Sequence, residues 1–278
     1  MVGRATTPAA TPAGPRERAV RGRLRVPGGS VRVQVDGPDG APVLVLAHSL
    51  AAHLGMWDEQ VPAWARRYRV VRYDLRGHGG STAPGGSCSI ANLAGDALAV
   101  MDALGLPRAH WCGLSLGGMV GLWLLRHAPG RIDRAVLAHL AAHLGPPGLW
   151  DGRIRTAARS GIEPLVEPTL HYWFDAAFMA RFPERVDAMR RMIRATSVAG
   201  YQAGCAAIRD MDQRDGLARI DRPVLVIAGR RDRATVPSAG AAIAGAIPGA
   251  KLVMLDTAHF GPVEQPQAFA AAVETFLD

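Results

Sequence analysis

Short apolar runs alternate along the chain with longer segments that have apolar residues at helical spacing. Some runs are continuous, as in Val-Leu-Val-Leu-Ala at 43–47, which is typical of strands buried on both faces of a sheet. Strands are predicted at residues 24–26, 31–35, 43–47, 70–73, 109–112, 135–138, 224–228 and 252–255. Strands that alternate with helices over this length indicate a mostly parallel α/β sheet flanked by helices.

Local signals mark the ends of some elements. Gly28 and Gly29 separate the first two predicted strands, which indicates a hairpin at this point. A helical pattern of apolar residues follows Ser89, a residue type that favours helix N-caps, and the pattern stops at Gly105. The pattern therefore predicts a helix between these two residues.

Residues 142–215 break the alternation because they contain no good strand pattern. The stretch begins with Gly-Pro-Pro-Gly and continues with several helical patterns, such as Val186, Met189 and Ile193 at spacings of three and four. Helices inserted between two strands predict a cap over one end of the sheet. We therefore expect a core of residues 21–141 and 216–278 and a helical cap of residues 142–215.

The positive charge is concentrated in the first residues of the chain. Of the net charge of +8, residues 1–25 contribute +5, through six arginines and one glutamate. A basic tail on a nearly neutral body is not the pattern of a nucleic-acid-binding domain, so we expect no nucleic-acid partner. Residues 1–20 are rich in Ala, Thr, Pro and Gly, and we predict a disordered tail.

Several other protein classes are excluded by composition. The longest apolar run is too short to cross a membrane, and the N-terminus lacks the apolar region of a secretory signal. Three cysteines without a paired motif are expected to be small buried residues in a reducing compartment. With 31 of 32 basic residues being arginine, the composition indicates a GC-rich bacterial genome, and we expect a cytoplasmic protein without a membrane partner.

The most informative motif is Gly-Leu-Ser-Leu-Gly at residues 113–117. A predicted strand precedes it and an apolar helical segment follows it, as in a nucleophile elbow. The glycines on either side allow a sharp turn that holds Ser115 in a strained conformation at the carboxyl end of the sheet. Ser115 is therefore the predicted nucleophile.

A serine nucleophile needs a base, and the base needs an acid that orients it. Asp232 follows a buried strand by four residues, and His259 follows the next strand by four residues. Consecutive parallel strands bring both side chains to the same edge of the sheet as Ser115. In folds that carry a nucleophile elbow of this kind, the nucleophile, the acid and the base also follow one another along the chain in the order Ser, Asp, His.

Other ionisable residues near this edge fit the roles less well. His139 and His143 follow the sixth predicted strand, but no carboxylate is placed to orient either of them, and His143 is kept only as a pocket residue. Asp256 is expected to point elsewhere, and Asp74 to tie the loop after its strand. No cluster of His, Cys and Asp has metal-ligand spacing, so we expect neither a metal nor a cofactor.

Acyl transfer also requires an oxyanion hole, which is a pair of N–H donors for the developing negative charge. In this fold one donor is the amide that follows the nucleophile, here Leu116. The other comes from the loop after the first long central strand, which contains Ser49 and Leu50. We expect the Leu50 amide to be the second donor.

The chain resembles the α/β-hydrolase superfamily and, within it, the 3-oxoadipate enol-lactonases of the β-ketoadipate pathway. The resemblance extends over most of residues 40–278. The enol-lactonase resemblance is carried by Ala-His-Ser-Leu at 47–50 through Met-Trp-Asp at 56–58, Cys-Gly-Leu-Ser-Leu-Gly-Gly-Met at 112–119, Leu-Trp-Asp-Gly-Arg-Ile at 149–154, Gly-Tyr-Gln-Ala-Gly-Cys-Ala-Ala-Ile-Arg-Asp-Met-Asp at 200–212 and Val-Glu-Gln-Pro-Gln-Ala-Phe at 263–269. The superfamily resemblance also rests on Asp-Leu-Arg-Gly-His-Gly-Gly-Ser at 74–81.

The resemblance implies cofactor-free hydrolysis of an enol-lactone that carries a carboxylate. Two stretches depart from the family pattern. Leu-Ala-His-Leu-Ala-Ala-His at 137–143 replaces a stretch that usually contains asparagine, and Phe-Gly-Pro at 260–262 follows the base where polar residues are common. Both stretches border the expected pocket.

A carboxylated substrate needs a cation in the pocket, and Arg153 in the predicted cap is the candidate. Trp150 and Trp173 are candidates for an apolar wall. The full set of expected substrate contacts is Ser49, His143, Trp150, Arg153, Trp173 and Phe260.

Three alternative functions remain open at this point. A general carboxylesterase or lactonase would use the same three residues, as would a cofactor-free haloperoxidase or perhydrolase. The chain could also be a ligand-binding homologue without turnover, because fold alone does not determine function. Epoxide and haloalkane hydrolysis are disfavoured because they need a carboxylate where Ser115 stands.

Overall fold

The computed structural model describes residues 20–83, 85–86 and 88–278. These residues form one sheet of eight strands. The strands are β1 (Val20–Val26), β2 (Gly29–Asp36), β3 (Val43–Ala47), β4 (Arg69–Tyr73), β5 (Ala109–Leu114), β6 (Ile132–Ala138), β7 (Val224–Gly229) and β8 (Lys251–Leu255).

Helices connect most of the strands. Those of the described residues are α1 (Val61–Trp64), α2 (Ile90–Ala103), α3 (Leu116–His127), α4 (Pro147–Ser160), α5 (Glu163–Trp173), α6 (Ala176–Arg181), α7 (Pro183–Arg194), α8 (Val198–Asp210), α9 (Pro237–Ala246), α10 (Gly261–Glu264) and α11 (Pro266–Leu277). Short 3-10 turns lie at Leu54–Trp57, Pro129–Arg131 and Leu217–Arg219.

The strands lie in the order β1-β2-β4-β3-β5-β6-β7-β8. The β1–β2 and β2–β4 pairs are antiparallel, whereas β4, β3, β5, β6, β7 and β8 run parallel to one another. The predicted α/β-hydrolase type of architecture, a mostly parallel sheet flanked by helices, is confirmed. Because β5, β6, β7 and β8 are consecutive neighbours, the loops after their carboxyl ends meet at one edge.

The observed strands match the predicted ones with small shifts at their ends. β1 and β2 form the predicted hairpin. The largest shift is in β1, which begins at Val20 rather than at Leu24. Strand β6 begins at Ile132 rather than at Ala135, because the half-buried Asp133 and Arg134 interrupt its apolar pattern. Ser89 is the N-cap of α2, where its side chain and that of Asn92 form a reciprocal capping box.

The chain between β6 and β7 is helical, with α4 to α8 spanning Pro147 to Asp210. Among the described residues of this segment, the β pairing is limited to one isolated bridge between His143 and Asp212. We propose that this segment forms the cap and the rest the core. The predicted disordered tail, residues 1–20, lies outside the described residues except for Val20.

The centre of the sheet is apolar on both faces. Strand β7 is buried along its whole length, and β3 is buried in four of its five residues. Cys88, Cys112 and Cys205 are free and buried, as predicted. No helix among the described residues is long and apolar enough to span a membrane.

Helix α3 packs closely on the sheet because glycines face the strands. A Cβ added to Gly121 would overlap the Trp111 indole and lie 2.9 Å from Leu137 Cδ2. A Cβ added to Gly95, inside α2, would meet no atom within 4 Å. The close approach of α3 therefore depends on Gly121, whereas Gly95 has no such role.

We predict opposite stability effects of alanine at these two positions. Gly121→Ala should lower the free energy of unfolding by about 1–3 kcal/mol through overpacking. Gly95→Ala should raise it by about 0.5–1 kcal/mol, because alanine loses less backbone entropy in a helix. Urea denaturation of both variants checks this. Equal effects in the two variants would contradict the close-packing argument.

Candidate active site

Ser115 lies at the turn between β5 and α3 with φ 53° and ψ −113°. This left-handed conformation is costly for a residue with a side chain, by about 1–3 kcal/mol, and persists where the surroundings enforce it. A Cβ on Gly113 would overlap the carbonyl of Gly117, and a Cβ on Gly117 would overlap that of Ala47. Both glycines of the motif are thus required by close backbone approach.

Hydrogen bonds from neighbouring elements hold this turn. The Ser115 amide donates to the Ala138 carbonyl at the end of β6, with an N···O distance of 2.8 Å. The indole of Trp111 donates to the Gly117 carbonyl at 3.1 Å. These two hydrogen bonds therefore tie the turn to β5 and to β6.

The Asp232 carboxylate accepts five hydrogen bonds in the loop after β7. Oδ1 accepts the backbone amides of Ala234 and Thr235 at 2.8 and 2.9 Å. Oδ2 accepts the Thr235 hydroxyl at 2.8 Å and the imidazole Nδ1 of His259 at 2.8 Å. The fifth donor is His139 Nδ1, at 3.1 Å from the same oxygen.

Asp232 remains ionised despite its burial. Burial alone would raise its pKa, but the charge of His259 and the hydrogen bonds from His139 and His259 outweigh this effect. The pKa of Asp232 therefore lies well below its usual range. A stable negative charge is thus present behind His259 at neutral pH.

His259 lies in the loop after β8 and is anchored from two sides. Its Nδ1 donates to Asp232, and its backbone amide donates to the Trp173 carbonyl at the end of α5, with an N···O distance of 3.1 Å. The Phe260 amide donates to the same carbonyl at 3.1 Å. The segment between β6 and β7 thus helps to position this histidine.

The structure corrects the prediction that no carboxylate orients His139. Asp232 does so, because β7 lies between β6 and β8 and its loop reaches both neighbouring loops. The two imidazoles meet edge to face, with centroids 5.9 Å apart. His143, by contrast, contacts the Met211 carbonyl at 3.3 Å and has no carboxylate partner among the described side chains.

The expected oxyanion donors lie on two different segments, Leu116 directly after Ser115 and Leu50 in the loop after β3. Leu116 is the first residue of α3, where a helix N–H has no intrahelical partner. Leu50 lies in the loop after β3, next to Ala51, whose φ of 62° gives the loop a tight bend. The donor roles of Leu50 and Leu116 stay predictions.

One residue of this loop that sequence reasoning left out is His48. Its Nδ1 lies 2.7 Å from the Ser49 carbonyl, and its Nε2 accepts the Leu75 amide at 2.8 Å. Burial lowers the pKa of His48 to about 3, so the ring is neutral and donates from Nδ1. The sequence signal that could have indicated this role is a histidine directly after an apolar strand.

A cavity of about 380 Å³ opens beside Ser115 and His259. Five of the six expected substrate contacts line it, namely Ser49, His143, Trp150, Arg153 and Trp173. The sixth expectation, Phe260, was wrong. Phe260 is fully buried behind Trp173, against which its ring stacks at 4.0 Å, so it shapes the wall without reaching the cavity.

The cavity contains arginines but no carboxylates among its lining residues. Arg153, on α4, donates to the Tyr201 hydroxyl at 3.1 Å and lies over the rings of Trp150 and Tyr172. Arg233, beside Asp232, is the second. Neither arginine forms an ion pair with any described residue. The cavity is therefore electropositive.

Two acidic residues have the structural roles that were expected. Asp74 accepts the amides of Leu54 and Gly80 at 2.7 and 2.8 Å and so ties the loop after β4. Asp256 points away from the cavity and pairs with Arg231.

One group of described residues has the composition of a metal site, namely His139, Asp232 and His259. Their nearest ligand atoms lie within 4.8 Å of one another. Both imidazoles, however, use Nδ1 to donate to Asp232 Oδ2, which already accepts the Thr235 hydroxyl. The Nδ1 atoms of both imidazoles and Asp232 Oδ2 are thus already engaged in hydrogen bonds with one another.

Comparison with known proteins agrees with this fold and geometry. The α/β-hydrolase fold family matches residues 42–266, and the chain belongs to this family. The predicted hydrolase class is thereby confirmed.

Three similar proteins add detail to this comparison. The chain is 36% identical to 3-oxoadipate enol-lactonase 2 of Acinetobacter baylyi over 87% of this chain and 90% of the relative. It resembles the crystal structure of the enol-lactonase from Burkholderia xenovorans LB400, with a TM-score of 0.91 and 39% identity over 92% of this chain and 99% of the other. A hydrolase from Pseudomonas aeruginosa PA01 gives a TM-score of 0.90 and 45% identity over 92% and 98%.

Glu264 is a buried carboxylate behind the loop that carries His259. Its Oε1 accepts the Ala258 amide at 2.8 Å, and its Oε2 lies 3.6 Å from Arg231. Burial raises the pKa of Glu264 to about 7, with smaller effects from the nearby charges of Asp175, Arg231 and Asp232. The folded protein therefore holds a proton here that an unfolded glutamate releases near pH 4.5.

This difference predicts a pH-dependent stability cost. Between about pH 4.5 and pH 7 the folded state binds more protons at Glu264, so stability falls as the pH rises through this window. Glu264→Gln keeps the acceptor but cannot ionise. Urea denaturation at pH 5 and pH 7.5 should show the wild type losing about 2 kcal/mol relative to this variant.

The exposed Glu184, on α7, provides the matched control. Glu184→Gln should leave the pH dependence of the wild type unchanged. If the Glu264→Gln and wild-type stabilities stay parallel between the two pH values, the folded Glu264 titrates normally.

Proposed function

We propose that the protein hydrolyses a lactone or ester that carries a carboxylate, with 3-oxoadipate enol-lactone as the substrate. The observation that carries this proposal is the cavity, whose lining includes Ser115, His259 and two arginines without acidic partners. Similarity to the enol-lactonases of two organisms supports the same class of substrate. A cytoplasmic location stays a prediction.

The proposed reaction begins with Ser115 as nucleophile. Its Oγ attacks the lactone carbonyl carbon while His259 Nε2 takes the hydroxyl proton. Asp232 fixes the tautomer with the proton on Nδ1 and stabilises the imidazolium that forms. The amides of Leu50 and Leu116 donate to the carbonyl oxygen as it becomes negative.

Collapse of this intermediate opens the ring. The bond between the carbonyl carbon and the ring oxygen breaks, and His259 returns its proton to the leaving enolate oxygen. The enol tautomerises to a ketone, and the acyl group stays on Ser115 as an ester. His259 then activates a water molecule that hydrolyses this ester, which releases a keto-dicarboxylate.

The electropositive cavity favours an anionic substrate over a neutral one. A carboxylate in this cavity meets Arg153 and Arg233 and no opposing acid among the lining residues. Arg153 is also held in place, since Tyr201 accepts its hydrogen bond and two aromatic rings lie beneath it. A fixed cation loses little conformational entropy when it binds a carboxylate.

We predict that 3-oxoadipate enol-lactone is turned over far faster than p-nitrophenyl acetate or butyrate. Ser115→Ala should lower turnover of each substrate by roughly 10⁴-fold or more, because it removes the nucleophile. Steady-state kinetics with both variants check this. Ester turnover with an inert lactone would support a general carboxylesterase and overturn the enol-lactonase proposal.

Assays of halogenation, peracid formation and lactone binding distinguish the remaining alternatives. Halogenation or peracid formation above the hydrolytic rate would favour a haloperoxidase or perhydrolase. Binding of the lactone without turnover would favour a ligand-binding protein.

A second prediction concerns recognition of the carboxylate. Arg153→Gln should lower kcat/KM for the carboxylated lactone by about 10- to 100-fold, the effect of losing a charged hydrogen bond. It should change kcat/KM for neutral p-nitrophenyl acetate much less. Arg155→Gln, an exposed arginine on the same helix, is the control and should leave both values unchanged. An equal loss on both substrates in Arg153→Gln would indicate a structural role only.

A further inference from the structure

His139 is a second buried imidazole beside the carboxylate of Asp232. It is 1% exposed and adopts φ 50°, a conformation that residues with side chains rarely hold. Its Nδ1 lies 3.1 Å from Asp232 Oδ2, the oxygen that also accepts His259. The mechanism described above assigns it no role.

The surrounding backbone leaves room for this ring. A Cβ on Gly229 would lie 2.9 Å from His139 Cε1, and a Cβ on Gly261 would lie 2.6 Å from its Nε2. Side chains at both positions would displace the imidazole. The last residue of β7 and the first residue of α10 therefore both allow His139 to reach Asp232.

The hydrogen-bonding pattern determines the protonation state of His139. An ionised carboxylate can only accept, so the ring nitrogen that faces it, Nδ1, must carry a proton. Burial lowers the pKa of His139, and Nε2 has no partner among the described residues. His139 is therefore a neutral donor that directs one N–H at Asp232.

We propose that His139 is a positioning residue that shares the carboxylate of Asp232 with His259 and thereby lowers the basicity of His259. This proposal rests on the proposed roles of Asp232 and His259. Each donor on Oδ2 takes up part of its negative charge, so less of that charge stabilises the imidazolium form of His259.

Besides the two imidazoles, the described residues provide one further donor to Oδ2. Oδ2 also accepts the hydroxyl of Thr235, which does not titrate in the assay range. Among the other charged groups nearby, Arg233 directly follows the aspartate and lines the cavity, and it does not titrate in the assay range. Glu264, Arg231 and Asp175 face one another behind the loop. Glu264 titrates near pH 7, so its variant Glu264→Gln serves as the background in which the profile is measured.

The chain offers a matched pair of substitutions at this position. Asparagine can place its side-chain N–H near the position of Nδ1 and tolerates a positive φ, so His139→Asn keeps the donor. Leucine fills much of the space without a donor, so His139→Leu removes it. His171→Ala, at an exposed residue of α5, is the control for loss of a histidine elsewhere.

The test is the pH dependence of kcat/KM on whichever ester or lactone Ser115 turns over. The acid limb of this pH profile gives the pKa of the general base in the free enzyme. His139→Leu should shift this limb upward by about half to one pH unit and lower kcat about tenfold with KM unchanged. In His139→Asn the acid limb should stay where it lies in the parent, which is the Glu264→Gln background without a further substitution. His171→Ala should also leave the limb in place.

Proton NMR of the free enzyme tests the geometry without catalysis. Imidazole N–H groups bonded to a carboxylate resonate far downfield, so the wild type should show two such histidine protons and His139→Asn one. The proposal is overturned if the acid limb of His139→Leu coincides with that of the parent, or if the limbs of His139→Leu and His139→Asn shift equally. It is also overturned if the wild type shows only one such proton. Activity that persists in Ser115→Ala would instead contradict the proposed function, and the NMR result would still decide the role of His139.

Discussion

The buried negative charge of Asp232 is the constraint on which the rest of the site depends. A carboxylate removed from water is costly unless donors replace its hydration. Here the loop after β7 supplies two amides and a hydroxyl, and the neighbouring loops each supply an imidazole. Three consecutive strand ends must therefore be in register for this one group to be satisfied. The order of β6, β7 and β8 in the sheet provides that register.

Strain and charge are concentrated at the same edge of the sheet. The non-glycine residues with positive φ among the described residues are Ala51, Ser115 and His139, and each follows a parallel strand. Each lies beside a group with a role in the proposed chemistry: an oxyanion donor, the nucleophile itself, or the carboxylate. The regular sheet behind them supplies the packing that keeps these conformations in place.

Much of this arrangement could be predicted from the order of strands and of strand-end residues. The turn at Ser115 has a local signature, and Asp232 and His259 each follow a predicted strand by four residues. The same logic applies to His139, which directly follows β6, but the sequence alone did not show that one carboxylate oxygen could accept two imidazoles. Phe260 was misplaced because ring stacking against Trp173 depends on packing between distant segments.

The carbonyl of Trp173 joins α5 to the loop of His259 through two backbone amides. Local opening of the protein at this point would exchange these two hydrogen bonds for hydrogen bonds to water, at a net cost of about 0.5–1.5 kcal/mol each. The segment between β6 and β7 and the loop that carries His259 are thus coupled in local unfolding. Heat inactivation should therefore follow the local stability of α5 and its junction, even where the central strands remain folded.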